Sequence, residues 1–75
     1  MKKSFILLCM SEDLQRGGVL TLNECCAEYK MSEPTFRRYI ADLRNYYWEK
    51  THLEIIYDAR KRGYRLLKKA NVKEV

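Results

Sequence analysis

A chain of 75 residues makes one domain at most, with a core too small to enclose a deep catalytic pocket. At 47% hydrophobic it carries enough apolar surface to fold, and its 15 basic against 10 acidic residues give a net charge of +5. That charge is lopsided: residues 1–36 hold four Lys/Arg against five Asp/Glu and residues 37–75 eleven against five, so the second half suits an anionic partner, nucleic acid or a membrane surface.

The opening "MKKSFILLC" imitates a lipoprotein signal. Its apolar run from Phe5 to Leu8 is shorter than the roughly seven residues a signal needs, so it reads as the start of a helix over residues 4–16 with Ser4 as N-cap. Phe5, Ile6, Leu7, Leu8, Met10 and Leu14 give that helix a wide apolar face. Gly17-Gly18 ends it. "TLNE" at 21–24 is a capping box, in which the Thr21 hydroxyl and the Glu24 carboxylate answer each other's backbone donors. A helix over residues 22–30 follows, with Leu22, Cys25, Cys26 and Tyr29 on its apolar side. After a short turn, Ser32 caps a third helix over 33–49, and Pro34 sits in its first turn, where a missing N–H costs nothing.

In this third helix Phe36, Ile40, Leu43 and Tyr47 recur at helical spacing and form one buried stripe. Arg38 and Asn45 lie nearly opposite the stripe, Pro34, Ala41 and Asp42 broadly outward, and Arg37 on the flank. An exposed pair of Arg38 with Asp42 is the plain structural reading of that arginine. Tyr46 and Trp48 exceed what one stripe absorbs, and cover the following hairpin or form a dimer contact.

From Leu53 the period shortens. Strands over 53–57 and 64–68 flank the polar turn "DARKRG", giving a β-hairpin with a basic tip of Arg60, Lys61 and Arg62. Residues 69–75 read as a tail. No stretch approaches the ~20 apolar residues of a membrane span, and no membrane association is expected. Cys9, Cys25 and Cys26 fit small apolar residues in a reducing cytoplasm. They have no paired metal spacing, and the single His52 adds none, so neither a metal nor another cofactor is expected.

The order helix, helix, short turn, helix, hairpin describes an α+β, mainly α fold, a winged helix-turn-helix. In that arrangement the second helix of the pair enters the major groove and its N-terminal residues reach base edges. Arg37 and Arg38 stand at that leading end, and a hairpin tip with three consecutive cations can meet phosphates or enter a minor groove.

The stretches "LTLNECCAEYKMSEPTFRRYIADLR" and "EIIYDARKRGYRL" resemble the winged helix-turn-helix at the N-terminus of DeoR-type, WYL-domain and related bacterial regulators. Ser32, Thr35, Phe36, Arg38 and Gly63-Tyr64-Arg65-Leu66 stand at the places of that family's cap, threonine, apolar residue, arginine and wing ending. The likeness covers most of the chain, from about Phe5 to Leu67. Two departures are Lys30, where a turn glycine is usual, and Tyr39, where an aspartate often follows the arginine. The resemblance implies sequence-specific binding of double-stranded DNA in transcriptional control, by a small stand-alone binder, phage- or plasmid-like, or by the front of a longer regulator.

By resemblance and geometry, Thr35, Arg37 and Arg38 are the groove-facing candidates, with Pro34 in contact. Arg60, Lys61 and Arg62 are the wing candidates. Thr21 and Ser32 stand at helix N-termini, where backbone N–H groups favour a phosphate; both are equally good plain caps. The surplus apolar residues Phe5, Leu8 and Cys9, with Tyr46 and Trp48, allow a homodimer, which would give paired half-sites. A winged-helix adaptor that binds protein without specific DNA binding is the competing reading. No nucleophile with a base, carboxylate pair or glycine-rich phosphate loop points to an enzyme or a small-molecule substrate.

Overall fold

A computed structural model describes residues 2–67; Lys68, the expected end of the second strand, and the expected tail at 69–75 lie outside the described residues. Three helices, α1 (Lys3–Gln15), α2 (Leu22–Tyr29) and α3 (Glu33–Thr51), precede an antiparallel hairpin of β1 (Glu54–Asp58) and β2 (Gly63–Leu67). The chain is therefore mainly helical with a two-stranded hairpin, in the element order expected from its sequence.

The first helix departs most from expectation. It begins at Lys3 after Lys2, which makes no side-chain cap, so Ser4 lies inside the helix and does not cap it. Its inward face is a narrow row of Ile6, Met10 and Leu14, four residues apart. Phe5 and Leu8 stay 53% and 70% exposed, so the expected wide apolar face is only half used. The physical reason is that α1 packs chiefly on α3 and β2, which cover one seam of it. The helix stops at Gly17, whose φ of 86° lies in the left-handed region that glycine enters without a Cβ penalty.

For α2 the Thr21 hydroxyl accepts the Glu24 N–H at 3.2 Å, the first half of the expected capping box. Cys25 is its buried residue, with Leu22, Cys26 and Tyr29 packed at the edge of the core. The helix ends one residue earlier than expected, because Lys30 takes the left-handed conformation at φ 54° and its N–H bonds the Cys26 carbonyl. A lysine thus occupies a turn position that glycine would fill with less strain.

Ser32 caps α3, accepting the Thr35 N–H at 3.3 Å and donating to the Thr35 hydroxyl at 3.1 Å. Phe36, Ile40, Leu43 and Tyr47 are all buried, as their spacing requires, and Tyr39 joins them. Tyr39 carries the Lys3 ammonium 5.6 Å above its ring, which covers it from the α1 side. The helix runs two residues beyond the expected end. Thr51 Oγ1 donates to the Tyr47 carbonyl at 2.7 Å and accepts the Leu53 N–H, and His52 at φ 59° turns the chain into β1.

In the hairpin Tyr57 faces Tyr64 and Asp58 faces Gly63. Both strands sit one residue away from the expected limits: β1 starts at Glu54, not 53, and β2 at Gly63, not 64. The unexpected feature is a third backbone partner. Leu20, in the loop between α1 and α2, pairs with Tyr64 as an isolated antiparallel bridge. Gly63 permits this, since a Cβ there would stand 2.4 Å from Val19 Cγ1 and 2.7 Å from the Leu20 carbonyl.

Candidate functional site

Each cationic group can be placed by the element that holds it. The buried stripe of α3 fixes which way its remaining faces look. Arg38 is exposed and makes no hydrogen bond or ion pair with any described residue. The pairing with Asp42, its plain structural alternative, is not formed; Lys3 Nζ takes that carboxylate at 3.3 Å. Arg37, also exposed, is held otherwise: its Nη2 and Nε reach Glu33 Oε2 at 2.7 and 3.0 Å. Bonded to the Glu33 carboxylate, the Arg37 guanidinium is even more firmly protonated than usual.

The hairpin is brought to the same flank by Tyr64. The Phe36 ring stands 6.0 Å from the Tyr64 ring, Tyr57 meets it edge-on at 5.1 Å, and the Arg44 guanidinium lies 6.0 Å above it. In consequence Arg62 of the tip and Arg37 of α3 line one hollow, with Tyr57, Tyr64, Leu22 and Phe36. Arg44 stands seven residues after Arg37, hence on the same side of α3. Sequence reasoning missed Arg44 and Tyr57, the latter 55% exposed. The signal for Arg44 was its heptad spacing from Arg37; Tyr57, between Ile56 and Asp58 in a strand, carried none.

The tip is shaped by Asp58. Its Oδ1 accepts the N–H of Arg60 at 3.0 Å, its backbone carbonyl accepts that of Lys61 at 3.2 Å, and its Oδ2 accepts Arg65 Nε at 3.1 Å. Partial desolvation pushes the Asp58 carboxyl upward, but the Arg65 bond and the two backbone donors outweigh it and hold it below its ordinary range. Arg62 follows in the left-handed conformation at φ 56°. The side chains of Arg60, Lys61 and Arg62 are exposed and unpaired among the described residues. Arg60 and Arg65 line a separate hollow with Asp58 and Ile56, so the three tip cations do not all face α3.

Thr21 and Ser32 are occupied as helix caps. Thr35 is half-buried beneath Ser32, while Pro34 is exposed beside it at the leading end of α3. Of the aromatic surplus, Trp48 stacks on His52 at 5.3 Å and lines a hollow with Leu53 and Ile55 at the root of the hairpin. Tyr46 does not cover the hairpin; it looks toward α1.

Burial pushes the Cys25 thiol up to about 12, with Glu28 adding to it, so it carries no thiolate at neutral pH. Among the described residues no group of three or more His, Cys, Asp or Glu could hold a metal ion, and no helix is long and apolar enough to cross a membrane. Comparison with protein families, with curated proteins and with solved structures gives no match to this chain.

Proposed function

We propose that this chain is a winged helix-turn-helix that binds double-stranded DNA sequence-specifically, as a regulator of transcription and not as an enzyme. In this reading the leading end of α3 enters the major groove, and the hairpin tip lies on the backbone or in the adjacent minor groove. The observation that carries it is the convergence of Arg37 and Arg62 on one hollow, with Arg38 exposed and unpaired among the described residues on the same helix. An unpaired arginine on a rigid helix is the group best suited to a guanine edge, which offers two acceptors to its two donors. Exposed tip cations suit phosphates, whose contacts fix register without reading sequence. The excess of positive charge in residues 37–75 agrees with such a polyanionic partner.

Selection of bound fragments from random duplex DNA at two salt concentrations tests this reading. A regulator enriches one motif and keeps it as salt rises. A chain that binds duplexes without enrichment is a nonspecific binder, and one that binds none at low salt is not a DNA-binding protein, which favours the adaptor reading.

A further inference from the structure

The side of α1 turned away from the core carries apolar surface that no described residue covers. Phe5 and Leu8 are 53% and 70% exposed, and Leu8 continues into a groove along the α1–α3 seam, lined by Leu7, Leu43 and Tyr46, itself 53% exposed. We infer that this face is a self-association surface on which a second copy of the chain lays its own α1 antiparallel, about a two-fold axis near Leu8.

The charge pattern of α1 selects this occupant. Lys2 and Lys3 stand at its N-terminus with no acidic residue in the first turn, and no basic residue stands in its last turn. The two lysines oppose the helix's own dipole, which favours anions at the N-terminus and cations at the C-terminus, where only the C-cap residue Arg16 is basic. Glu12 and Asp13 lie near the other end; Arg16 pairs with Glu12 at 3.1 Å but leaves that end net negative. Within one copy Lys3 is used by Asp42, and Lys2 is left without a partner among the described residues. An antiparallel second α1 brings the negative end of one helix to the positive end of the other. It sets Lys2 within side-chain reach of the other copy's Glu12, and Leu8 against Leu8. Such an isologous contact is self-complementary and closes at two copies. The face omits Arg38 and the hairpin tip, so the inference stands apart from the DNA reading.

Sedimentation equilibrium without DNA tests it. The wild-type chain is expected to dimerise, and Leu8→Glu, which alters no core residue, to weaken dimerisation by about tenfold or more with unchanged circular dichroism. Lys2→Glu and Glu12→Lys each weaken it, and the double variant restores it. A wild-type chain that stays monomeric to about 0.5 mM overturns the proposal, and leaves the face to a different protein. A dimer indifferent to Leu8→Glu, or single charge reversals that the double variant does not rescue, overturns it equally.

Discussion

Leu20 and Tyr64 exchange both of their backbone hydrogen bonds, each at 2.8 Å, although 44 positions separate them in the chain. This one pair fastens the hairpin to the loop ahead of α2. A two-stranded hairpin alone is marginal in water. The bridge gives β2 a second backbone neighbour, and the Tyr64 ring then reaches Phe36 and Arg44 on α3. The position of the cationic tip relative to α3 is thus set by the packing of Tyr64.

Gly63→Ala tests that dependence. Its Cβ would meet Val19 Cγ1 at 2.4 Å, the Leu20 carbonyl at 2.7 Å and Thr21 Cγ2 at 3.0 Å, and a backbone carbonyl cannot rotate away as a side chain can. The substitution is expected to destabilise the chain by about 1–3 kcal/mol, as overpacking of a tight contact does. Urea denaturation followed by circular dichroism measures it. An unchanged midpoint means that the bridge does not hold the hairpin.

The proposed division between reading and anchoring predicts two different defects. Arg38→Ala is expected to cost about 1–3 kcal/mol on the preferred duplex and little on others, because a lost base contact removes discrimination. Lys61→Ala is expected to weaken all duplexes alike and to lower the slope of log affinity against log salt by about one. Mobility shifts on matched and mismatched duplexes distinguish them. Equal specificity before and after Arg38→Ala removes that residue from the reading role.

Arg37 is held back by Glu33, and this gives a prediction of opposite sign. Glu33→Gln removes the carboxylate that engages both Nε and Nη2 of Arg37. It also deletes a negative charge at the end of α3 proposed to face DNA. Duplex affinity is expected to rise by a factor of a few at low salt and to converge on wild type at high salt, where exposed charges are screened. Titration at two ionic strengths checks it, and lower affinity at both contradicts the proposed approach of this helix end.

The Asp58 carboxyl links the tip to pH. A carboxylate held below its ordinary pKa favours the folded tip above about pH 4, and that contribution disappears as pH falls through the depressed value. Protonation loosens the Arg65 ion pair and weakens the bonds that Oδ1 accepts from the N–H of Arg60 and, at 3.4 Å, of Lys61. Amide signals of Arg60 and Lys61 should therefore move together below about pH 4 in the wild type. In Asp58→Asn, which keeps one acceptor oxygen and has no charge to lose, that coupled movement should be absent. Its persistence would assign the transition to another group.

What the sequence revealed depended on whether a residue's role was local. The stripe of Phe36, Ile40, Leu43 and Tyr47 repeats at one period and is buried in full, because α3 is covered by α1, α2 and β1 together. The caps at Thr21 and Ser32 involve residues three apart and were equally plain. Phe5 and Leu8 could be counted in a wide apolar face and also as surplus, because periodicity cannot count how many neighbours a helix has. The Leu20–Tyr64 bridge left no trace at all, since a single paired residue has no alternation. At the candidate site, Arg37 and Arg38 could be placed on α3, but not that Glu33 holds one of them while Lys3 draws Asp42 away from the other. Arg44 and Tyr57 enter only through Tyr64, a contact between distant parts of the chain.

Tyr47 shows the same long-range logic in the core and gives a last test. Its ring is 2% exposed, yet its hydroxyl donates to the Ser11 carbonyl at 3.2 Å, lies 2.6 Å from Ser11 Oγ and accepts Gln15 Nε2 at 3.1 Å. This cluster ties the last turns of α1 to α3, where the narrow row of Ile6, Met10 and Leu14 gives limited purchase. Tyr47→Phe keeps the ring and leaves those partners unsatisfied, so it is expected to cost about 1–2 kcal/mol. Tyr47→Ala, which also opens a cavity, is expected to cost about 3–5 kcal/mol. A double-mutant cycle of Tyr47→Phe with Ser11→Ala isolates the contact between the two hydroxyls, with a coupling of at least about 0.5 kcal/mol expected for residues in one network. A coupling near zero would mean that the Ser11 hydroxyl adds nothing to this tie, leaving the Ser11 carbonyl and Gln15 as the partners of the Tyr47 hydroxyl.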